Sequence, residues 1–308
     1  MEVAVTGSTG LIGSALVSSL LEAGHRVLRV VRPDTGHSAD RDTDTVPWDV
    51  ESGVIDAGAL EGLDAVVHLV GAPIGDKRWT PKRKALLLRS RTESTRLLAR
   101  ALASLGDPPA TLISGSAIGV YGAHRGDDEL TEESDTRDDD FLAALCARWE
   151  ESAEPAREAG IRVAHLRTGL VMARHGGVLA RQLLPFKLGV GGRVGPGDQW
   201  LSWISLPDQV AAIRHILVSD GISGAVNATA PRPVRQKDFA ATLGAVLRRP
   251  TFLPTPLWPL RLVLTSEMVD STLLAGQRVV PARLEDAGFS FTHPDLESAL
   301  RAVLDRPA

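Results

Sequence analysis

Two side chains capable of acid–base chemistry stand four residues apart in the segment "FLAALCARWEES", residues 141–152. Its apolar positions recur at helical spacing, so the segment is predicted to be a helix with one apolar face. That face consists of Leu142, Leu145, Cys146, Trp149 and Ala153. Because Glu150 lies beside it, the helix is either a packing helix with an unusual edge or part of an active site.

Glu150 and Cys146 have different requirements for chemistry. A carboxylate beside an apolar stripe is costly to leave ionised and unpaired, so Glu150 needs a cationic or hydrogen-bonding partner or a raised pKa. Either state suits a general acid or base, and the alternative is a glutamate that turns to solvent. The Cys146 thiol serves as a proton donor or nucleophile only if its pKa is depressed, and otherwise it fills the core.

A glycine-rich loop follows the first predicted strand in "VAVTGSTGLIG". Glycines at this spacing allow a tight turn, close approach of the backbone to a pyrophosphate, and close packing of helix on strand. The alternative is a glycine-rich turn that binds nothing. The sequence therefore predicts a dinucleotide site formed by Gly7, Ser8, Thr9, Gly10, Leu11, Ile12 and Gly13.

The end of the second predicted strand, "VVRPD", bears on which dinucleotide binds. An acidic residue there would hold a ribose 2′-hydroxyl, but Arg32 occupies the place, and a guanidinium suits a 2′-phosphate. We therefore predict NADP(H) as the cofactor, with Ser8 and Arg29 as possible helpers. The alternatives are a surface arginine that happens to follow a strand, and a ribose contact from Asp34.

Two further strand ends are predicted to lie along the cofactor. Asp49 in "VPWDV" could accept a hydrogen bond from the adenine amino group, or it could cap a turn. Gly71 and Ala72 in "VVHLVGAP" leave room for the cofactor to cross the sheet edge, where ligands bind in such folds. His68, in the same strand, is expected to be packed and hydrogen-bonded rather than catalytic.

The elements that position these residues alternate between strand-like and helix-like runs through the first two-thirds of the chain. Continuous β-branched runs joined by helices predict a parallel sheet covered on both faces. The fold class is thus α/β, a Rossmann-type doubly wound parallel sheet with a smaller C-terminal substrate or cap region. The dinucleotide domain is predicted over residues 1–172, with 205–230 returning to it, and the cap region over 173–204 and 231–308.

Composition narrows the class of protein. The chain has 308 residues, 44% of them hydrophobic, so it can bury a substantial core. A net charge of -4 and scattered basic residues give no reason to expect a nucleic-acid or membrane partner. One cysteine excludes an internal disulfide, and with no leader or membrane-spanning run we expect a cytoplasmic protein. The histidines are scattered, so no metal site is predicted.

The chain resembles the extended short-chain dehydrogenase/reductase superfamily. It is most similar to an atypical branch of nucleoside-diphosphate-sugar epimerases with a distinctive C-terminal domain. The resemblance covers nearly the whole chain and rests on "TGSTGLIG", "GAPIGDKRWT", "SRTEST", "SGSAIGVYG", "DDFLAALCARWE", "LRTGLVM", "GDQWLSWI", "VNATAP" and "GQRVVP". Extended members are often dimers, so the resemblance also implies a possible homodimer.

The resemblance places the helix of Cys146 and Glu150 at the active site without the usual catalyst. Typical members carry there a tyrosine that transfers the proton and, four residues later, a lysine that holds the ribose. The usual asparagine of the long helix matches Arg91, and Arg167 in "LRTGLVM" joins it as a cofactor-side residue. The resemblance also places Tyr121 where substrate and nicotinamide meet, as a proton donor or substrate contact, or else as a packed aromatic residue.

The remaining candidate residues are those predicted to lie on the substrate side of the site. Ser116 lies one position from the usual serine or threonine, so it either donates to a substrate carbonyl or belongs to a strand-end turn. Cationic side chains suit an anionic group such as a diphosphate, although such clusters are commonly solvated. The substrate-side residues predicted from these motifs are Lys77, Arg78, Gln199, Trp203 and Arg278, with packing of the cap as the alternative for the last three.

Two functions of different class follow from these residues. The first is an NADP(H)-dependent oxidoreductase or epimerase that acts on a small carbonyl or carbinol substrate, with a nucleotide sugar among the candidates. Protons would move through Glu150, Tyr121 or water in place of the tyrosine–lysine pair. The second is a catalytically silent NADP(H)-binding sensor. An intact glycine loop fits both, because fold alone does not fix a reaction.

Overall fold

The computed structural model describes residues 1–33 and 44–306; Asp34 lies outside these ranges. Its strands, in chain order, are β1 (Glu2–Thr6), β2 (Arg26–Val31), β3 (Asp44–Asp49), β4 (Val54–Ile55), β5 (Ala65–His68), β6 (Thr111–Ala117), β7 (His124–Leu130), β8 (Arg162–Thr168), β9 (Leu170–Met172), β10 (Trp200–Leu201), β11 (Trp203–Ser205), β12 (Gly224–Ala228), β13 (Val234–Arg235) and β14 (Gly276–Val279).

The helices lie between and after these strands. They are α1 (Leu11–Glu22), α2 (Pro81–Ala103), α3 (Phe141–Glu151), α4 (Glu154–Glu158), α5 (Gly177–Lys187), α6 (Leu206–Val218), α7 (Gln236–Leu247), α8 (Leu257–Val263), α9 (Ser266–Thr272), α10 (Ala282–Asp286) and α11 (Leu296–Val303). Among the described residues, none of these helices is long and apolar enough to span a membrane.

One eight-stranded sheet forms the centre of the molecule, with the order β12-β8-β6-β5-β1-β2-β3-β4. All neighbouring pairs are parallel except β3 and β4. Leucine and valine side chains from α1 and α6 cover one face, and those from α2 cover the other. The predicted α/β fold with a doubly wound parallel sheet is confirmed, and the carboxyl ends of its strands meet at one edge.

Helix α3, which carries Cys146 and Glu150, begins where the sequence predicts it. Asp140 is its N-cap, and the carboxylate accepts hydrogen bonds from the backbone N–H groups of Leu142 (2.8 Å) and Ala143 (3.0 Å). A second oxygen of Asp140 accepts from the Ala123 N–H at 2.8 Å, which ties the cap to the segment after Tyr121. The acidic run before the helix therefore fixes both the start of α3 and its position.

Two elements of the fold were not predicted from the sequence. The segment "HRGDDEL" forms β7, which pairs in parallel with β14, although four of its seven residues are charged and give it no apolar alternation. Helix α8 passes through the proline-rich stretch, because Pro259 falls in its first turn, where a missing N–H breaks no helical bond. A separate apolar core lies under α5, α7 and α11. The division of the chain at residues 172, 204 and 230 stays a prediction.

Candidate functional site

The glycine loop has the backbone geometry of a phosphate cradle. Gly7 has φ +65°, and a Cβ there would lie 2.8 Å from the Leu69 carbonyl oxygen. At Gly13 a Cβ would lie 2.2 Å from the Gly7 carbonyl oxygen, so only glycine lets α1 start this close to the loop. Gly10 closes the turn by donating its N–H to Gly7 at 2.9 Å. Two of the three glycines are therefore sterically required.

The start of α1 leaves polar groups for a ligand. Gly10 is the N-cap and has no side chain to satisfy the first N–H groups of the helix, which Leu11 and Ile12 begin. Thr9 and Gly10 are exposed, whereas Ser8 is buried and its hydroxyl has no hydrogen-bond partner among the described residues. An orphaned hydroxyl beside free helical N–H groups fits the phosphate groups of a dinucleotide.

The two predicted cofactor residues at the ends of β2 and β3 differ in their surroundings. Arg32 follows β2 directly and is exposed, and since β2 pairs with β1, Arg32 lies at the same sheet edge as the glycine loop. Asp49 instead caps a turn, accepting from the Glu51 N–H (2.9 Å) and the Ser52 hydroxyl (2.6 Å). The Ser52 hydrogen bond lowers the pKa of Asp49. The structure favours the turn-cap interpretation of Asp49 over the adenine contact.

The loop after β5 is held against α2. The Ala72 N–H donates to the Ser90 hydroxyl at 3.1 Å. A Cβ on Gly71 would lie 2.9 Å from Cζ of Arg91, so glycine here makes room for that guanidinium. Arg91 is buried and its Cζ lies 5.0 Å from the centre of the Trp149 ring. The predicted cofactor residues Gly71, Ala72 and Arg91 therefore form one packed unit between β5 and α3.

Glu150 has the cationic partner that its position demands. Arg167 donates from Nε to Oε1 (2.8 Å) and from Nη2 to Oε2 (2.9 Å), and Ser116 Oγ donates to Oε1 at 2.6 Å. Ser116 and Arg167 are neighbours across β6 and β8, so strand register brings both to α3. Burial opposes ionisation, but the hydrogen bonds and charge of Arg167 outweigh it and lower the pKa of Glu150. The carboxylate is ionised at neutral pH.

Tyr121 is enclosed by the protein. It has no exposed surface, its hydroxyl donates to Asn227 Oδ1 (2.7 Å), and the same oxygen accepts from Arg167 Nη1 (3.0 Å). Burial raises the pKa of Tyr121, although Arg167 and Asn227 act against it. The Arg167 Cζ also lies 5.0 Å from the ring centre. The structure therefore favours the alternative, in which Tyr121 is a packed aromatic residue whose hydroxyl is satisfied inside the protein.

Cys146 is enclosed by the protein as well. The residue is 2% exposed and packs with Leu145, Trp149 and Tyr121 in one apolar cluster. Burial raises the pKa of the thiol to about 12, and the charge of Glu150 adds to the effect. A thiol with this pKa stays protonated at neutral pH and is a poor nucleophile or acid. The structure favours the core-residue interpretation.

A series of buried hydrogen bonds that the sequence did not reveal connects β1, the strand before the glycine loop, to α3. Thr6 Oγ1 contacts His68 Nδ1 at 2.8 Å, and His68 Nε2 contacts Thr95 Oγ1 at 3.0 Å. Trp149 Nε1 donates to the same Thr95 oxygen at 3.0 Å. His68 is thus packed and hydrogen-bonded, as predicted. Asn227 was missed as a site residue, because its contact with Tyr121 spans 106 positions and leaves no local signal.

The predicted substrate-side residues do not converge on one point. Trp203 has no exposed surface and donates from Nε1 to the Arg232 carbonyl at 3.1 Å, so the structure favours core packing over a substrate contact. Gln199 bridges the Val194 and Leu273 carbonyls, in agreement with the packing alternative.

The cationic candidates differ from one another in their surroundings. Arg278 forms an ion pair with Glu129 at 3.0 Å and lies over Trp200, so the structure favours packing over a phosphate clamp. Lys77 and Arg78 are exposed, and the adjacent buried Trp79 anchors their loop by donating to the Ile74 carbonyl at 3.0 Å. No group of three potential metal-ligating side chains occurs in residues 1–33 and 44–306.

These features define a dinucleotide-binding α/β protein of Rossmann type, with a paired carboxylate where the strands end. Sequence profiles specify the family. The NAD-dependent epimerase/dehydratase family matches residues 3–228, and DUF1731, a domain of unknown function, matches residues 255–303. The chain belongs to this epimerase/dehydratase family of extended short-chain dehydrogenases/reductases, in the form that carries the DUF1731 domain.

Similar proteins match over the full length. The epimerase family protein Mb2239 of Mycobacterium bovis is 42% identical over 305 residues, covering 99% of this chain and 98% of the relative. YfhF of Bacillus subtilis is 37% identical over 306 residues, with 99% and 98% covered. The crystal structure of human epimerase family protein SDR39U1 (isoform 2) with NADPH superposes with a TM-score of 0.88 at 32% identity, covering 99% of both chains.

Proposed function

We propose that this protein is an NADP(H)-dependent oxidoreductase or epimerase that acts on a small carbonyl or carbinol substrate. The observation that carries the cofactor assignment is the glycine loop, in which Gly13 cannot bear a Cβ and the buried Ser8 hydroxyl lacks a partner. Arg32 at the end of β2 supports a 2′-phosphate, and human SDR39U1 was crystallised with NADPH. When bound, the nicotinamide supplies or accepts the hydride.

We assign proton transfer during the reaction to three groups, which are Ser116, Glu150 and Arg167. Ser116 already directs its hydroxyl proton at the Glu150 carboxylate, 2.6 Å away. In carbinol oxidation, Ser116 Oγ would take the substrate proton while its own proton passes to Glu150 Oε1. Arg167 keeps Glu150 ionised and therefore able to accept, and the low pKa of the carboxylate makes its protonated state brief.

A titration of tryptophan fluorescence with NADPH and NADH tests the cofactor assignment. We expect tighter binding of NADPH than of NADH in the wild type, and loss of that preference in Arg32→Ala. Equal affinities in the wild type would contradict the role of Arg32. Absence of binding by either nucleotide would remove the cofactor assignment and the function that depends on it.

Glu150→Gln tests the proton assignment. This change keeps the shape and acceptor oxygen of the side chain but removes the charge, so turnover should fall by at least about 100-fold, as for loss of a general base, while NADPH affinity persists. Glu151→Gln is the matched control, since Glu151 is exposed on the same helix. Equal turnover in Glu150→Gln and the wild type would reject the assignment.

A second candidate, a catalytically silent NADP(H) sensor, has one observation in its favour. At the position where typical members carry the catalytic tyrosine, the Cys146 thiol is buried and its pKa is raised to about 12. NADPH binding without turnover across a broad panel of aldehydes, ketones and sugars would support the sensor. NADPH oxidation with any of these substrates would support the enzyme.

A further inference from the structure

Arg91 is a buried guanidinium that no carboxylate in residues 1–33 and 44–306 neutralises. The residue is 6% exposed, and its Nη1 donates to the Leu87 carbonyl, one turn earlier in α2, at 3.1 Å. Its Nε is buried without a hydrogen-bond partner, and among the described residues no aspartate or glutamate forms an ion pair with Arg91. Buried charges in proteins are normally paired, because desolvation disfavours them.

The guanidinium lies between the loop after β5 and the helix that carries Glu150. Its Cζ lies 5.0 Å from the centre of the Trp149 ring, and a Cβ on Gly71 would lie 3.0 Å from Nη2. Burial lowers the pKa of Arg91 to about 10, and the charge of Arg83 acts in the same direction. Arg91 is therefore still a cation at neutral pH, although its surroundings disfavour the charge.

The nearby carboxylate does not compensate Arg91. Both oxygens of Glu150 accept from Arg167, and Oε1 also accepts from Ser116. This leaves one positive charge in excess among these buried groups. A planar guanidinium with unused donors binds carboxylate and phosphate groups well. A ligand that carries either group could therefore supply the anion that pairs with Arg91.

We propose that Arg91 binds an oxyanion of the substrate, a carboxylate or phosphate group, beside the loop of residues 71–73. This inference rests on the proposed function and narrows its substrate to anionic carbonyl or carbinol compounds. A phosphate of the dinucleotide has the same chemistry. The substrate is favoured because Arg91 contacts α3 directly, through Trp149, the residue before Glu150.

The first measurement is the melting temperature of the ligand-free protein. Arg91→Met removes the unpaired charge and keeps the apolar stem, so the variant should melt at the wild-type temperature or above it. Arg89→Met is the matched control, because Arg89 is exposed on the same helix. A melting temperature several degrees lower in Arg91→Met, with unchanged anion binding, would show a structural role and overturn the proposal.

The second measurement is calorimetric titration with inorganic phosphate, malonate and the neutral malonamide, with and without saturating NADP⁺. The wild type and Arg89→Met should bind phosphate or malonate in preference to malonamide. Arg91→Met should bind the anion at least about tenfold more weakly, the loss expected for a charge-assisted hydrogen bond. Arg91→Lys keeps the charge without the planar fork and should retain part of the affinity, which provides a second variant if Arg91→Met does not fold.

The outcomes separate this proposal from the one on which it rests. Equal anion affinity in the wild type and both Arg91 variants, or no binding of either anion by the wild type, overturns it. A tenfold loss of NADPH affinity in Arg91→Met assigns the guanidinium to the cofactor phosphates and overturns the substrate assignment. Failure of the proposed function would be seen in the fluorescence titration, as a wild-type protein that binds no NADPH.

Discussion

Protonation of His68 should make the stability of the protein depend on pH between neutrality and pH 5. His68 has no exposed surface, and burial lowers its pKa from 6.5 to about 3. As the pH falls below 6.5, the unfolded chain takes up a proton at this position and the folded protein does not. The contribution of neutral His68 is therefore complete above the unfolded pKa and is lost progressively as the pH falls toward 3.

The magnitude follows from the two pKa values. Between pH 7 and pH 5 the folded His68 stays neutral while most of the unfolded chains become protonated there, which lowers the free energy of unfolding by about 2 kcal/mol. His165 is half-buried, and burial lowers its pKa as well. The His68 share must therefore be measured as a difference between the wild type and a His68 variant.

Urea denaturation of the wild type and His68→Asn at pH 7 and pH 5 measures this difference. Asparagine cannot titrate and keeps one donor and one acceptor for Thr6 and Thr95. His68→Asn should be less stable at pH 7, and its deficit should shrink by about 2 kcal/mol at pH 5. His175→Asn, at an exposed position, should show no such convergence. A deficit that stays constant from pH 7 to pH 5 would refute the reasoning.

Three further changes test the site. Gly13→Ala places a methyl group 2.2 Å from a loop carbonyl and should weaken NADPH binding by at least about tenfold in a fluorescence titration, whereas Gly221→Ala, which meets no atom within 4 Å, should not. Tyr121→Phe leaves buried partners unsatisfied and should lower the free energy of unfolding by about 1–3 kcal/mol without abolishing turnover; complete loss of turnover in a folded variant would restore Tyr121 as proton donor. The Glu150–Arg167 pair stabilises the fold at pH values above the ordinary glutamate pKa of 4.5, and this contribution is lost as the pH falls through the lower pKa of Glu150 in the folded protein. In acid denaturation, the free energies of unfolding of Glu150→Gln and the wild type should therefore converge.

The sequence predicted what depends on local spacing. The glycine loop, the alternation of strands and helices, the start of the helix that carries Glu150 and the packed His68 all follow from patterns within one or two elements. The need of Glu150 for a partner was also predicted, because a carboxylate beside an apolar stripe demands one. The identity of that partner was not, since Arg167 arrives through the register of β8 against β6.

The roles of the other candidates depended on burial that no local pattern fixes. Tyr121 and Trp203 both carry polar atoms that suit a ligand, yet each finds its partner inside the protein, at Asn227 and at the Arg232 carbonyl. An isolated charged segment such as "HRGDDEL" has no apolar alternation to announce a strand, and it becomes β7 only because β14 pairs with it. Contacts between residues far apart in the sequence determine these outcomes, and the spacing of residues along the chain does not predict such contacts.

The departure of this site from the usual tyrosine and lysine is best understood as a rearrangement of charge. Replacing a lysine by Glu150 exchanges a positive group for a negative one, which burial would make unstable without compensation. Arg167 compensates that carboxylate, and Arg91 restores an excess positive charge beside the Trp149 ring. The site thus keeps a cation but moves it from the α3 position that typical members use to α2. A cation in that place is suited to an anionic group on the ligand rather than to lowering the pKa of a tyrosine.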